Sequence, residues 1–281
     1  MKIYTIILTL ICVSLISSCK HPDKEWEDSR AIDKTVKAKG DKMIYGLICD
    51  GCTDSTIVFL SNEGGDPVTY NIIRATRNKQ IFGKPEIGDW AGIMLNPNNK
   101  HEATMVVDLD QLKGTWTYEV RPTWKDATKM SRRALRRKLN EIPDSLKEAY
   151  LVPREYGFTL KRSSVASPVG YVMQNSSLED DSPVEYPTVK HYTGWKCRNG
   201  RLILTSLTDR MRGVKATDGE KQPQKPAEIH DTLDFIFMTN DSLVLLNSKG
   251  QRIAFHRKAS AMAANAHAQK AAEVTEKKVA K

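Results

Sequence analysis

From Met43 to Lys258 the chain keeps returning to one device: a short run of β-branched, aromatic and aliphatic residues, cut off by residues that turn the backbone. "MIYGLIC", "STIVFL", "VTYNIIRA", "DWAGIMLN" and "ATMVVDL" come first. Between them stand Asp50-Gly51, Gly64-Gly65-Asp66-Pro67, Gly88-Asp89 and Asn96-Pro97-Asn98-Asn99. Runs this short cannot be stable helices, and Gly, Asn, Asp and Pro at each break supply the backbone angles that turns need. Five such runs predict a small closed barrel of the oligonucleotide/oligosaccharide-binding or SH3-like kind over residues 42–110, free of helices of useful length.

A second series starts near residue 111. "LKGTWTYEV", "YGFTLKR", "SPVGYVMQ", "VKHYTGWKC", "GRLILTSLT", "DTLDFIFMT", "DSLVLLN" and "QRIAFHRK" are eight runs at short spacing. Asn199-Gly200 within this series is a strong signal for a two-residue hairpin. Eight runs joined by turns predict an up-and-down antiparallel barrel over residues 111–258. The expected fold class is therefore all-β, with two antiparallel barrels in tandem.

One helical stretch interrupts this second series. In "DATKMSRRALRRKLNEIPDSLKEAY", Met130, Ala134, Leu135 and Leu139 recur at helical spacing, and Lys129, Arg132, Arg133, Arg136, Arg137 and Lys138 occupy the other faces. Pro143 ends this helix. It reads as a solvated helix covering the barrel mouth, or as a contact for anionic glycolipid or an acidic partner. Residues 259–281 are rich in Ala and Lys without a large apolar face, and read as a mobile tail.

Gly114-Thr115-Trp116 on the first strand of the second series resembles the lipocalin, or calycin, signature. In that superfamily the tryptophan closes one end of the barrel and stacks on an arginine from the last strand. Here the last run offers Arg252 and Arg257; Arg257 shares strand parity with Ile253 and Phe255, which favours it as the clamp on Trp116. The same region is similar to the lipocalin-like domains of bacterial lipoproteins through "GFTLK", "GWKCRNGRLILTSLT", "DTLDFIFMTNDSLVLLNSKG" and "IAFHRK". The other short motifs of the animal lipocalins are not apparent, so retinoid-like transport does not carry over. The resemblance implies a cup for one small apolar or amphipathic molecule. Strand alternation makes Trp116, Tyr118, Phe158, Leu233, Phe235 and Phe237 its expected lining, or the filling of a solid core.

The N-terminus speaks to compartment. Met1-Lys2, the apolar run "IYTIILTLICVSLI" and the small residues before Cys19 read as a signal peptide over residues 1–18, too short for a spanning helix. "ISSC" resembles the bacterial lipobox, which implies a lipid anchor on Cys19. Residues 19–41 are polar and charged and read as a tether. Lys20, not aspartate, follows Cys19, and by analogy with known lipoproteins this favours the outer membrane.

An exported chain can hold disulfides. Cys49 and Cys52 in "LICDGCTDSTIVFL" lie in a C-x-x-C spacing, yet a β-type run follows them where thioredoxin-type chemistry wants a helix N-terminus. Zinc needs about four ligands, and Cys197 and the scattered His21, His101, His191, His230, His256 and His267 do not provide a second pair. A local disulfide or structural thiol pair is the expectation, ahead of redox or metal roles. No catalytic motif of a hydrolase, metalloprotease, nucleotide-binding or dinucleotide-binding type occurs. The +9 net charge and the basic helix would suit nucleic acid, but an exported chain rarely meets it. The expectation is a non-catalytic, cofactor-free, membrane-anchored binder; the alternative is an envelope module that docks another protein.

Overall fold

A computed structural model describes residues 40–125, 129–172, 182–207 and 228–279. These fall in one compact unit. The signal-peptide, Cys19 and tether readings up to residue 39 lie outside the described residues.

The first barrel is built from β1 (Met43–Ile48), β2 (Thr56–Ser61), β3 (Val68–Asn71), β5 (Trp90–Asn96) and β6 (Asn99–Asp108). They join in the order β3-β2-β1-β5-β6, and a parallel contact at Asn71↔Glu102 returns β6 to β3 and closes the ring. This order, with helix α1 (Ile73–Arg77) between the third and fourth ring strands, selects the oligonucleotide/oligosaccharide-binding topology over the SH3 one. The helix was not expected: "VTYNIIRA" reads as one strand, but Asn71 Oδ1 accepts the Ile73 N–H at 2.9 Å and turns the chain into α1. A short strand β4 (Ile81–Phe82) adds parallel to β6 outside the ring.

Alternation in β1 and β5 sends Ile48, Ala91 and Ile93 into the barrel with Ile57, Phe59, Tyr70 and Val106. Met43, Tyr45 and Trp90 point the other way. They are buried too, because the second barrel covers that face. A strand buried on both sides reads as a continuous apolar run, and "MIYGLIC" is one.

Asp108 caps the one-turn helix α2 (Leu109–Leu112) by accepting Gln111 N–H at 2.8 Å, and the chain passes directly into the second barrel. Its strands are β7 (Gly114–Val120), β9 (Arg154–Leu160), β10 (Ala166–Val169), β12 (Tyr192–Arg198), β13 (Arg201–Leu207), β14 (Glu228–Met238), β15 (Ser242–Leu246) and β16 (Arg252–Lys258). Each pairs antiparallel with its sequence neighbours except β10 with β12, and the last strand returns to the first. One bridge, Val165↔Gly194, and the Trp195 N–H bond to Ser164 O at 2.8 Å span the remaining gap. The Asn199-Gly200 hairpin has φ of 49° and 71°, the left-handed pair of a type I′ turn.

That hairpin is where the barrels lock. Asn199 N–H and Met43 N–H both donate to Asp41 Oδ1 at 3.0 Å, and Lys42 N–H donates to Asn199 Oδ1 at 2.8 Å. The Tyr45 hydroxyl lies 2.7 Å from both Asp41 Oδ2 and the Cys197 carbonyl oxygen. Asp41, assigned by sequence to the tether, is therefore buried structure. Phe82 of β4 enters the same end of the second barrel and meets Phe235 at 5.3 Å between ring centres. One hydrophobic cluster runs from the second barrel across the junction into residues of the first, while the first barrel's interior forms a cluster of its own.

Between β7 and β9 stand β8 (Thr123–Trp124), α3 (Arg132–Glu141) and α4 (Asp144–Leu151); β8 pairs with β11 (Val184–Glu185), which lies between β10 and β12. The chain ends in α5 (Ala261–Ala264) and α6 (Ala266–Val279), which corrects the reading of a mobile tail. Asn265, between the two helices, uses its side-chain amide as a strand would use its backbone. It accepts Glu155 N–H and donates to Glu155 O, each at 2.8 Å. Ala264 and Ala268 are buried, and Ala268 packs with Val152 and Val172. The buried face is made of alanines because the helix lies close to its support. A scan for large apolar residues misses such a face.

Candidate functional site

The floor of the second barrel is made by Gly114, Trp116 and Arg257. Trp116 is fully buried, and its indole N–H donates to Leu112 O at 2.7 Å. Arg257 lies over the ring with Cζ at 4.2 Å from the centroid, and its Nη1 donates to Lys113 O at 2.7 Å. Further Arg257 bonds go to the carbonyls of Gln111 and Asn240. Gly114 has φ of +124°, and a Cβ there would clash with Arg257 Nη1. The glycine of Gly-x-Trp is thus required by the space its arginine occupies. Burial pushes the Arg257 pKa down, against the pull of Asp241 and Asp108.

Above the floor the interior is aromatic. Phe158 contacts Phe255 at 5.1 Å and Tyr192 at 5.9 Å, and Tyr118 meets Phe255 edge-on at 5.3 Å. Leu202 and Leu204 of β13 and Leu243 and Leu245 of β15 belong to the same buried cluster, with Leu243 paired beside Phe255. Higher up, Tyr118, Tyr192 and Ile253 are only half-buried. The Tyr192 hydroxyl sits 3.5 Å from Asp231 Oδ2, which also holds Lys190 Nζ at 2.6 Å. Burial, and then the Asp231 charge, raise the Tyr192 pKa; burial raises that of Tyr118.

The wall opens beside this upper layer. β16 pairs with β7 at only three positions, ending at His256↔Thr117, and residues 118–120 and 252–255 form no ladder with each other. There lies a cleft of ≈ 790 Å³. Tyr118 and Ile253 line it from the barrel side; Glu119, Glu155, Arg252, His256 and Lys258 line it from the outer face. Glu155 is held in place: Lys258 Nζ lies 2.7 Å from Oε1, and Thr117 Oγ1 donates to Oε2 at 2.9 Å. The Tyr118 phenol, a carboxylate held by a lysine, a guanidinium and an imidazole can hydrogen-bond a polar group while Ile253 and the Tyr118 ring face an apolar one.

The residues expected to line a cup are only partly brought together. Tyr118 reaches the cleft. Trp116 and Phe158 are sealed in the floor and the middle layer. Leu233 and Phe235 are buried, and Phe235 faces the first barrel through Phe82. Phe237 is a correction, being 50% exposed. Between Phe235 and Phe237 the β14–β15 register shifts at a bulge, so Phe237 turns outward and Met238 takes the inward place. Arg252, His256 and Lys258 were missed as cleft residues, because a seam between first and last strands leaves no local pattern. Strand parity around Arg257 places all three on one outward face and was the available signal.

Cys49 and Cys52 are free thiols here, the second of the two expected forms, a structural thiol pair rather than a local disulfide. Cys52 Sγ accepts the Val58 N–H at 3.3 Å and so already has a backbone partner in the β1–β2 connection. Cys197 is buried at the barrel junction, and burial, with Asp41 nearby, pushes its thiol pKa up.

The ring order, with eight antiparallel strands in sequence, the last returning to the first, and a Gly-x-Trp floor stacked on a last-strand arginine, defines a lipocalin-like barrel. No known protein-family model matches this chain, and no curated protein shows similarity to it. Among solved structures, a lipocalin-like protein from Bacteroides thetaiotaomicron is 20% identical, with 52% of this chain and 94% of that one covered and a TM-score of 0.26.

Proposed function

We propose that the second barrel is a non-catalytic binding module for one small amphipathic molecule, seated at the seam between β7 and β16. Its apolar part rests on Tyr118 and Ile253, and its polar group meets Arg252, His256 and Lys258. The observation that carries this reading is the interruption of the β7–β16 ladder beside a half-buried aromatic layer, with a cleft of ≈ 790 Å³ at that point. Ligand pockets commonly measure roughly 300–1,000 Å³ and combine apolar walls with a few polar groups. Native mass spectrometry of protein purified from its host tests the idea: a low-mass species is retained, and Ile253→Trp, which fills the throat, loses it. An empty wild-type barrel after broad lipid screening refutes it.

The packed lower interior favours a second reading, an envelope module whose barrels are solid. Crosslinking in intact cells then yields a stoichiometric protein partner that Ile253→Trp leaves unchanged. In both readings the protein is exported and anchored to the outer membrane through lipid on Cys19. Support comes from the apolar leader and the small residues before Cys19. Metabolic labelling with an alkyne fatty acid should mark the wild type and not Cys19→Ser, and equal labelling of both removes the anchor.

A further inference from the structure

Helix α3 carries charge that nothing inside the described molecule uses. Arg132, Arg133, Arg136, Arg137 and Lys138 are all exposed, while Ala134, Leu135 and Leu139 on the opposite side are half-buried. None of the five has a carboxylate partner among the described residues. The placement of the four arginines works against the helix, while Lys138 alone stands in the last turn, where a cation is favoured. Arg132 and Arg133 occupy the first turn, where the positive end of the macrodipole repels cations. Arg132–Arg136 and Arg133–Arg137 are like-charge pairs at i,i+4, which also destabilise. Ser131 still caps the N-terminus through the Ala134 N–H at 3.3 Å, so the segment is a built helix despite this arrangement.

We propose that α3 docks the second barrel onto an anionic lipid bilayer. At the α-helical repeat the four arginines spread over an arc of roughly 140°, which matches an extended plane of phosphates better than a narrow groove. Among the described residues Tyr171, next to Val172 of the cluster under α6, is 77% exposed, and tyrosine is a side chain that inserts at a bilayer interface. Charge complementarity with anionic headgroups gives the arginines the partner that the fold withholds. This docking does not depend on what the cleft binds.

The test is limited trypsin digestion of the full chain, reconstituted on vesicles of phosphatidylcholine alone or with phosphatidylglycerol added. Cleavage after Arg132, Arg133, Arg136, Arg137 and Lys138 is followed by mass spectrometry. The bond after Lys100, exposed in the first barrel, serves as the internal reference. Phosphatidylglycerol should slow cleavage within α3 by at least about tenfold, leave the Lys100 bond unchanged, and lose its effect in high salt, which screens surface charge. Equal α3 cleavage on the two vesicle types overturns the proposal. So does equal protection by soluble polyglutamate without vesicles, which assigns the patch to an acidic protein.

Discussion

Phe82→Ala probes whether the two barrels are one cooperative structure. Phe82 belongs to a two-residue strand of the first barrel, yet it is 1% exposed and its ring meets Phe235 of the second barrel at 5.3 Å. Around it, Trp90, Val107, Leu109 and Leu112 belong to the same buried cluster as Trp116, Leu233 and Leu243. Removing a buried phenyl ring costs about 3–5 kcal/mol through lost transfer energy and the cavity left behind. Domains are commonly stable by about 5–15 kcal/mol, so this is a large fraction of the total. For a chain of this size about 2–4 °C accompanies each kcal/mol, and the expected loss in Tm is roughly 6–20 °C. Hydrogen exchange with mass spectrometry across a urea series reads each barrel separately, through peptides from β5 and from β13. If the core is shared, both peptides lose protection at the same lowered urea concentration. A β13 peptide that keeps its wild-type midpoint while β5 shifts, or a loss below about 1 kcal/mol, refutes the shared core.

Two further outcomes follow from single sites. Gly114→Ala should lower stability by about 2–4 kcal/mol in chemical denaturation, since φ of +124° disfavours a side chain and the new methyl displaces Arg257 from Trp116; a loss below about 0.5 kcal/mol shows that the clamp does not need the space. Burial raises the Asp108 pKa from 3.8 to about 6, with Asp89 and Asp110 adding to the rise and the Gln111 N–H opposing it. The folded state therefore holds the proton more tightly than the unfolded one, and this group's contribution to stability falls as pH rises from about 4 to 6. Asp108→Asn keeps a capping oxygen and removes that titration, so the variant should gain on wild type across this window, by up to about 3 kcal/mol at pH 7. A difference between the two proteins that stays constant from pH 4 to 7 contradicts the assignment.

Much of the architecture is local in origin and was legible before any coordinates. Short β-type runs alternate with period two, and turn residues punctuate them, so strand number and barrel class follow from interactions within a few residues. Asn199-Gly200 adopts the predicted turn because only residues tolerant of positive φ satisfy it. Arg257 falls on Trp116 because strand parity is conserved through the regular strand β16. The candidate site was less legible. Tyr118 was foreseen by alternation, whereas Phe237 was misplaced because one extra residue in a bulge inverts every later side chain.

Sequence by itself determined that this chain makes two β-barrels, where the second barrel has its floor, and which helix carries the basic face. Tertiary structure decided that one hydrophobic cluster runs across the junction of the barrels, that an alanine-rich C-terminal segment docks through Asn265, and that the wall opens between the first and last strands. Each of these joins residues far apart in the chain. The contacts depend on shape and burial at distances that no local periodicity encodes.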